Sequence, residues 1–558
     1  MRNSLFLAAF VCLIIGCESK PTYDTIIKNG MIYDGSGAAP VKGDIGINAD
    51  TIAFIGDLSQ ATAKETIDAK GKAVSPGFIN MLSWAVESLI EDGNSESDIR
   101  QGVTLEVFGE GSSMGPLSPK MKEREQNSQG DIKYKVDWTS FGGYLDFMDK
   151  RGVSCNIASF LGATTVRDYV IGEDNRQATP AELDTMRMLV KAAMEEGALG
   201  IGTSLIYPPA FFASTNELKE LTKEAARYGG SYISHMRSEG NNIEKALNEL
   251  IEISSYANCH GELYHLKMAG KDNWGKYDTV IAMIENARKA GIDISANMYN
   301  YTAGATGMTA SFPPSLQDGG FGKLRERLQD PKIRAEMAKA MNTNATDWEN
   351  LYYGANGAEH VLLLAFKQDS LKKYTGKTLA EVAKIRGTSP ENTAMDLIIQ
   401  DSTRVGVAYF LMNEDNIRKQ IQLPWVSFGS DEGSYSTKGV FLKANPHPRA
   451  YGNVARLLGK YTRDEKLIPL ETAVYKLSGL PAKNLKLQRR GLLKVGYYAD
   501  VVVFDPATVN DKSTYDKPHQ YSEGVSDVWV NGVAVLRNNE HTGKRPGKAL
   551  RGPGYKSK

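Results

Sequence analysis

From about residue 73 to 480 the chain alternates short β-rich runs with helical ones, and few folds accept that pattern over ~400 residues. The extended candidates are 73–82, 103–110, 154–162, 198–205, 229–236, 260–267, 291–299, 359–366 and 423–431. Between them Pro180 to Glu196, Asn216 to Tyr228, Asn242 to Tyr256 and Tyr277 to Ala290 read as helices. Repeated strand–helix units give a parallel sheet, and at this size its commonest form is a closed (β/α)8 barrel. Nine candidates for eight places leave one surplus. The stretch from about 302 to 422 is too long for a connection, so it predicts an inserted subdomain that absorbs 359–366.

The two ends share a different vocabulary. Ile26 to Tyr33 places Asn29-Gly30 between extended apolar stretches, a type I′ hairpin signal. Ile45, Ile47, Ile52, Phe54 and Ile55 flank Ala49-Asp50 in a second set. Near the other end, Ala499 to Asp505 reads as a strand and Val528 to Val535 as another hairpin, around Asn531-Gly532. Neither end has strands enough for a core of its own. Pairing them into one small β-sandwich solves both shortages. The expected units are 22–75 and 481–558 for the sandwich and 76–480 for the barrel with its insertion.

Composition narrows the function classes. With 66 basic and 66 acidic side chains there is no basic excess of the kind a dedicated nucleic-acid binder shows. At 41% apolar and 24% charged the chain is rich enough in core residues to fold throughout. No window beyond the N-terminus approaches the ~18–20 apolar residues of a membrane span.

The first residues read as an address. Met1-Arg2-Asn3 starts positive, Leu5 to Ile15 is almost wholly apolar, and Ile14-Ile15-Gly16-Cys17 resembles a bacterial lipobox. Cleavage after residue 16 and lipidation of Cys17 would tether the body to the bacterial cell envelope through acyl chains alone. Cys12 leaves with the signal, and Cys155 and Cys259 read as small buried residues rather than a bridge.

Two of the seven histidines, His235 and His265, fall at the C-terminal ends of successive barrel strands, where barrel active sites form. Imidazole suits zinc, and ligands from neighbouring strands converge above the barrel. Asp431 adds a strand-end carboxylate. Taken alone, these residues fit a metal site and hydrogen-bonded scaffold residues about equally.

Several segments make the resemblance specific: Gly71 to Asn80 (GKAVSPGFIN), Ala198 to Ala210 (ALGIGTSLIYPPA), Ser234 to Gly240 (SHMRSEG), Tyr264 to Gly270 (YHLKMAG), Tyr299 to Gly304 (YNYTAG) and Pro446 to Arg449 (PHPR). Together with Gly496 to Asp505 and Asp516 to Gly524 they resemble the N-acyl-D-amino-acid deacylase (D-aminoacylase) branch of the amidohydrolase superfamily, in order along the chain after residue 25. The resemblance implies a barrel with a small sheet domain from both ends. It also implies hydrolysis of a linear amide by a zinc-activated water, with an N-acylated D-amino acid or peptide-like molecule as substrate. By position His235 and His265 match the histidine ligands of the tight zinc site, and Asp431 matches the catalytic aspartate. Tyr207, Lys267, Tyr299 and Arg449 fall on positions used around the substrate, with Lys267 or Arg449 suited to its carboxylate.

Two departures qualify this. Leu82 and Trp84 stand where the family has a His-x-His pair for a second metal, and neither binds zinc; one zinc per chain is therefore expected. Gly111 aligns with the family's cysteine ligand. Glu110 is the favoured third ligand, with Glu106 or no third ligand left open; alternation puts Glu106, Phe108 and Glu110 on one face. Lys267 is available as a cationic partner for them. Trp84, if it points inward, narrows the pocket. The competing reading from another class is an amidohydrolase-fold lipoprotein that has lost hydrolysis and serves as a binding protein.

Overall fold

The computed structural model describes residues 21–557. The signal segment and Cys17 lie outside the described residues.

Eight strand positions form the barrel. Phe78–Asn80, Val103–Phe108 and Asn156–Ser159 run parallel, as do Leu161–Gly162, Gly200–Ser204, Ser231–His235, Gly261–Leu263, Ile294–Met298 and Val426–Phe428. Asn156 to Gly162 is one passage interrupted at Phe160. The last strand returns to the first: Met81 N donates to Phe428 O (3.1 Å) and Asp431 N to Leu82 O (2.8 Å). These strands are buried on both faces, as parallel sheets require. Ile79, Leu105, Val107, Ala158, Phe160, Leu199, Ile233 and Tyr264 fill the interior in one apolar cluster.

The outer helices have local causes. Thr179 and Glu182 form a capping box for Pro180–Glu195, whose Met186, Val190, Ala193 and Met194 form its buried stripe. Ile243–Ala257 buries Ile243, Leu247, Leu250, Ile253 and Ala257 at the same spacing and stops at Asn258 in the left-handed region.

Both chain ends meet in a single nine-stranded sheet. Ala73–Pro76 joins them, pairing parallel with Thr22–Ile32 and antiparallel with Val501–Phe504. Ile27, Ile45, Ile47, Ile52, Val74, Val501 and Trp529 share its core. Asn531-Gly532 makes the expected hairpin turn, with φ of 48° and 76°. Asn29-Gly30 does not. Asn29 has the positive φ (56°), yet Thr22–Ile32 continues through it as one strand with a bulge between Ile27 and Gly30. Pairing on both sides of the bulge outweighs the local turn preference.

Residues 303–410 contribute a separate three-stranded antiparallel sheet, Ala303–Gly307, Gly406–Phe410 and Val361–Ala365, so the surplus strand candidate sits here. Its helices close over a second core that includes Met308, Phe312, Leu324, Val361, Leu363, Ile398 and Tyr409. Among the described residues no helix is long and apolar enough to cross a membrane. Among the described residues Cys155 is buried and unbridged; Cys259 is also unbridged but only half-buried, less enclosed than its sequence suggests.

Candidate metal centre

The strand ends aim the polar side chains. His235 is the last residue of Ser231–His235. His265 lies two residues beyond Gly261–Leu263 at φ 34°, its N–H donating to Asn297 Oδ1 (2.9 Å). Asp431 follows Val426–Phe428 at φ 51°. Left-handed backbone at two non-glycine residues is uncommon, and here each bend turns a polar side chain into the barrel mouth.

Glu110 reaches the same point because the chain turns at Gly109 (φ 106°). Its Oε1 lies 2.9 Å from His235 Nδ1 and 3.0 Å from His265 Nε2. The three residues are buried, and their ligand atoms lie within 4.8 Å of one another. Two imidazoles and a carboxylate are a donor set that catalytic zinc accepts, and the residues fit that metal. Burial alone would raise the Glu110 carboxyl. The charge of His265 and the hydrogen bonds of both histidines outweigh it and hold the group well below its usual range. Burial and the Lys267 ammonium press His265 downward, but Glu239 and Glu110 raise it to about 9.

Glu106 does not share this face. Leu105 and Val107 point into the barrel, while Glu106 is held elsewhere by Ser83 Oγ (2.7 Å), Ser95 Oγ (2.5 Å) and Cys155 Sγ (3.1 Å). The alternation that groups 106 with 110 breaks at the Gly109 turn. Gly111, in turn, has no room for a side chain: a Cβ there would sit 2.5 Å from Ser204 Cβ. A cysteine at 111 does not fit this backbone, whereas Glu110, one residue earlier, reaches both histidines.

Lys267 neutralises neither Glu110 nor Glu106. Its Nζ donates to both oxygens of Glu239 (2.8 and 2.9 Å) and lies 2.7 Å from His265 Nδ1. Glu239 had no assigned role in the sequence, although it falls within Ser234 to Gly240. It clamps the far side of the His265 ring, which presents Nε2 to Glu110. The signal available was a carboxylate four residues past a strand-end histidine.

Arg449 donates through Nη2 to Asp431 Oδ2 (2.9 Å) and stacks 4.2 Å above the Tyr299 ring, while its buried Nε and Nη1 have no hydrogen-bond partner among the described residues. Burial raises the Asp431 carboxyl despite Arg449. Tyr207 meets His235 edge-on at 5.4 Å, and Arg404, from the insertion, covers its ring. Trp84 points inward, donating from Nε1 to Glu110 Oε2 (3.0 Å) and Asp431 Oδ1 (3.1 Å).

A cavity of about 680 Å³ opens above these groups. The barrel mouth is its floor, and Leu351, Leu364, Phe366, Val407 and Leu411 from the insertion give it an apolar roof.

The chain matches the amidohydrolase family over residues 65–536. It is 32% identical to the D-aminoacylase of Alcaligenes xylosoxydans xylosoxydans over 537 residues, 96% of this chain and 98% of that protein. A D-aminoacylase structure concerned with a binuclear centre, one-metal activation and second-metal attenuation superposes with a TM-score of 0.79 at 32% identity, covering 95% of this chain and all of that one. The N-acyl-D-glutamate deacylase of Bordetella bronchiseptica, complexed with zinc and a phosphonate mimic of the tetrahedral intermediate, superposes at 0.77 and 28% over the same shares.

Proposed function

The chain belongs to the amidohydrolase family, in its D-aminoacylase branch, and from that membership we propose that it hydrolyses the linear amide of an N-acyl-D-amino acid with one zinc per chain. The observation that carries this reading is the convergence of Glu110, His235 and His265 on one point, with Asp431 facing the same Trp84 N–H as Glu110. Those three residues would hold the zinc, which supplies Lewis acidity and a water of lowered pKa. Asp431 accepts the proton of the attacking water and returns it to the leaving amine, so that water and amide give carboxylate and amine. A carboxyl raised by burial suits that exchange. Arg449 Nη2 fixes Asp431 Oδ2, while Oδ1 lies beside the Trp84 N–H and Glu110. Its unpartnered Nη1 is placed for a substrate carboxylate, with Tyr299 beneath the guanidinium. Lys267 serves through Glu239 and His265, and Tyr207 walls the pocket beside His235.

In this reading residues 76–480 carry the chemistry, 302–422 the roof, and 22–75 with 481–558 the supporting sheet. The lipobox at Ile14 to Cys17 supports an envelope address for the whole, tethered by lipid alone.

The test uses purified full chain, with zinc measured by elemental mass spectrometry and amine release from paired N-acetyl-D- and L-amino acids. The expected result is about one zinc per chain, lost in His265→Ala, and release from D substrates only. A chain that stays metal-free in zinc-supplemented buffer, or that releases no amine from any D substrate, overturns the reading.

A further inference from the structure

Trp84 is 40% exposed, so packing alone does not call for an indole there. Its backbone is nevertheless fixed, with N–H donating to Glu432 O (2.9 Å) and Ser83 bridged to Glu432. Its one polar atom is turned inward, and the single hydrogen of Nε1 is shared between Glu110 Oε2 (3.0 Å) and Asp431 Oδ1 (3.1 Å). Indole is a donor only and offers a metal no lone pair. Leu82, at the other departure, lies in the apolar interior of the barrel and offers no polar atom.

Two carboxylates facing one point in a poorly solvated mouth repel each other and need something positive between them. In a binuclear site that is a cation; here it is the positive end of an N–H bond. We infer that Trp84 stands in for the second metal: its N–H positions Glu110 and Asp431 toward one another, and its ring occupies the space between them and the solvent. The consequence is a centre locked in a one-metal form that excess zinc does not attenuate. Trp84 is thus a positioning residue, acting through Glu110 and Asp431. This inference rests on the deacylase reading above.

The experiment dialyses wild type, Trp84→Phe and Trp84→His against graded zinc, then measures bound metal by elemental mass spectrometry alongside kcat, KM and melting temperature. Wild type is expected to stop at one zinc per chain and to keep its turnover in excess zinc. Trp84→Phe keeps the ring but not the donor; it is expected to melt as wild type does and to bind zinc about 10–100-fold more weakly. Its kcat should fall by a similar factor, with KM within about twofold. Trp84→His restores a nitrogen ligand and is expected to take a second zinc and to lose turnover as that zinc loads. A Trp84→Phe chain with wild-type zinc affinity and kcat overturns this inference alone, provided wild type holds one zinc and deacylates. Two zincs in wild type overturn it as well. A wild type with neither zinc nor deacylation instead overturns the reading beneath it.

Discussion

At the scale of single residues, the decisive fact is that Glu110 and Glu106, four positions apart, live in different chemistry. Glu110 is an anion between two histidines, whereas Glu106 is raised by burial and satisfied by two hydroxyls and a thiol. The two can be separated by isosteric change. Glu110→Gln removes the anion and is expected to cut zinc affinity by more than ~100-fold, since a ligand matters at least as much as the groups that orient one. Glu106→Gln is expected to keep about one zinc per chain. Elemental mass spectrometry of both variants decides it, and zinc loss from Glu106→Gln with retention in Glu110→Gln would reverse the assignment. That His235, His265 and Asp431 meet at the barrel mouth was legible because each lies at or just past the end of a recognisable strand. The choice between the glutamates was not legible, because it depends on the Gly109 turn and on the 2.5 Å approach of Ser204 to Gly111. The first is a local backbone turn and the second an approach between segments about 90 residues apart in sequence, and strand spacing encodes neither.

At the scale of elements, periodicity decided most of the fold and failed where long-range pairing competed with a local signal. Pro180–Glu195 and Ile243–Ala257 match their buried stripes within a residue or two, since each stripe is set by its own helix. Asn29-Gly30 carried a turn signal into the middle of a strand, because pairing with Val41–Asn48 on both sides is worth more than one two-residue turn. A subtler case is the helix Leu470–Leu477. Its Lys476 is 1% exposed, donates to Leu423 O, and is lowered to about 7 by burial. Between pH about 7 and the ordinary lysine value near 10.5 the unfolded chain holds this proton and the folded one does not, so stability rises with pH across that window. Below about 7 both states are charged and the full cost of burying the ammonium is present. Lys476→Met is therefore expected to stabilise the fold by about 1–3 kcal/mol at pH 7 and below, with the gain shrinking toward pH 10. Unfolding followed at pH 6, 7 and 9.5 tests this; an equal gain at all three would remove the titration from the account.

At the scale of the whole molecule, the pairing of both ends was legible because each was short of strands, yet the chain does more with its last residues than complete that sheet. Beyond the sheet it runs along the barrel floor, at the opposite end of the strands from the metal centre. Gly547 N donates to Val153 O (2.8 Å), Lys548 O accepts from Ile157 N (2.9 Å), and Gly552 N donates to Gly197 O (2.8 Å). A Cβ on Gly547 would stand 1.8 Å from Cys155 O, and one on Gly552 would stand 2.2 Å from Ala198 O. No sequence pattern announced this strap, because glycines in a tail read as looseness and here they permit backbone-to-backbone contact. Barrel floors serve stability and barrel mouths serve chemistry. Gly547→Ala should therefore separate the two, since it meets a carbonyl that cannot rotate away. Its cost is about 1–3 kcal/mol by analogy with overpacked cores. A chain of this size is best judged by a rate, so the readout is the half-life of thermal inactivation at a fixed temperature. To the extent that the strap has let go before the unfolding barrier, that cost shortens the half-life by about 5–150-fold. Zinc content and kcat at 25 °C should stay at wild-type values in the molecules that remain folded. An unchanged half-life would mean that the strap detaches after the barrier, and a fall in kcat at unchanged zinc would mean that floor and mouth are mechanically coupled along the strands.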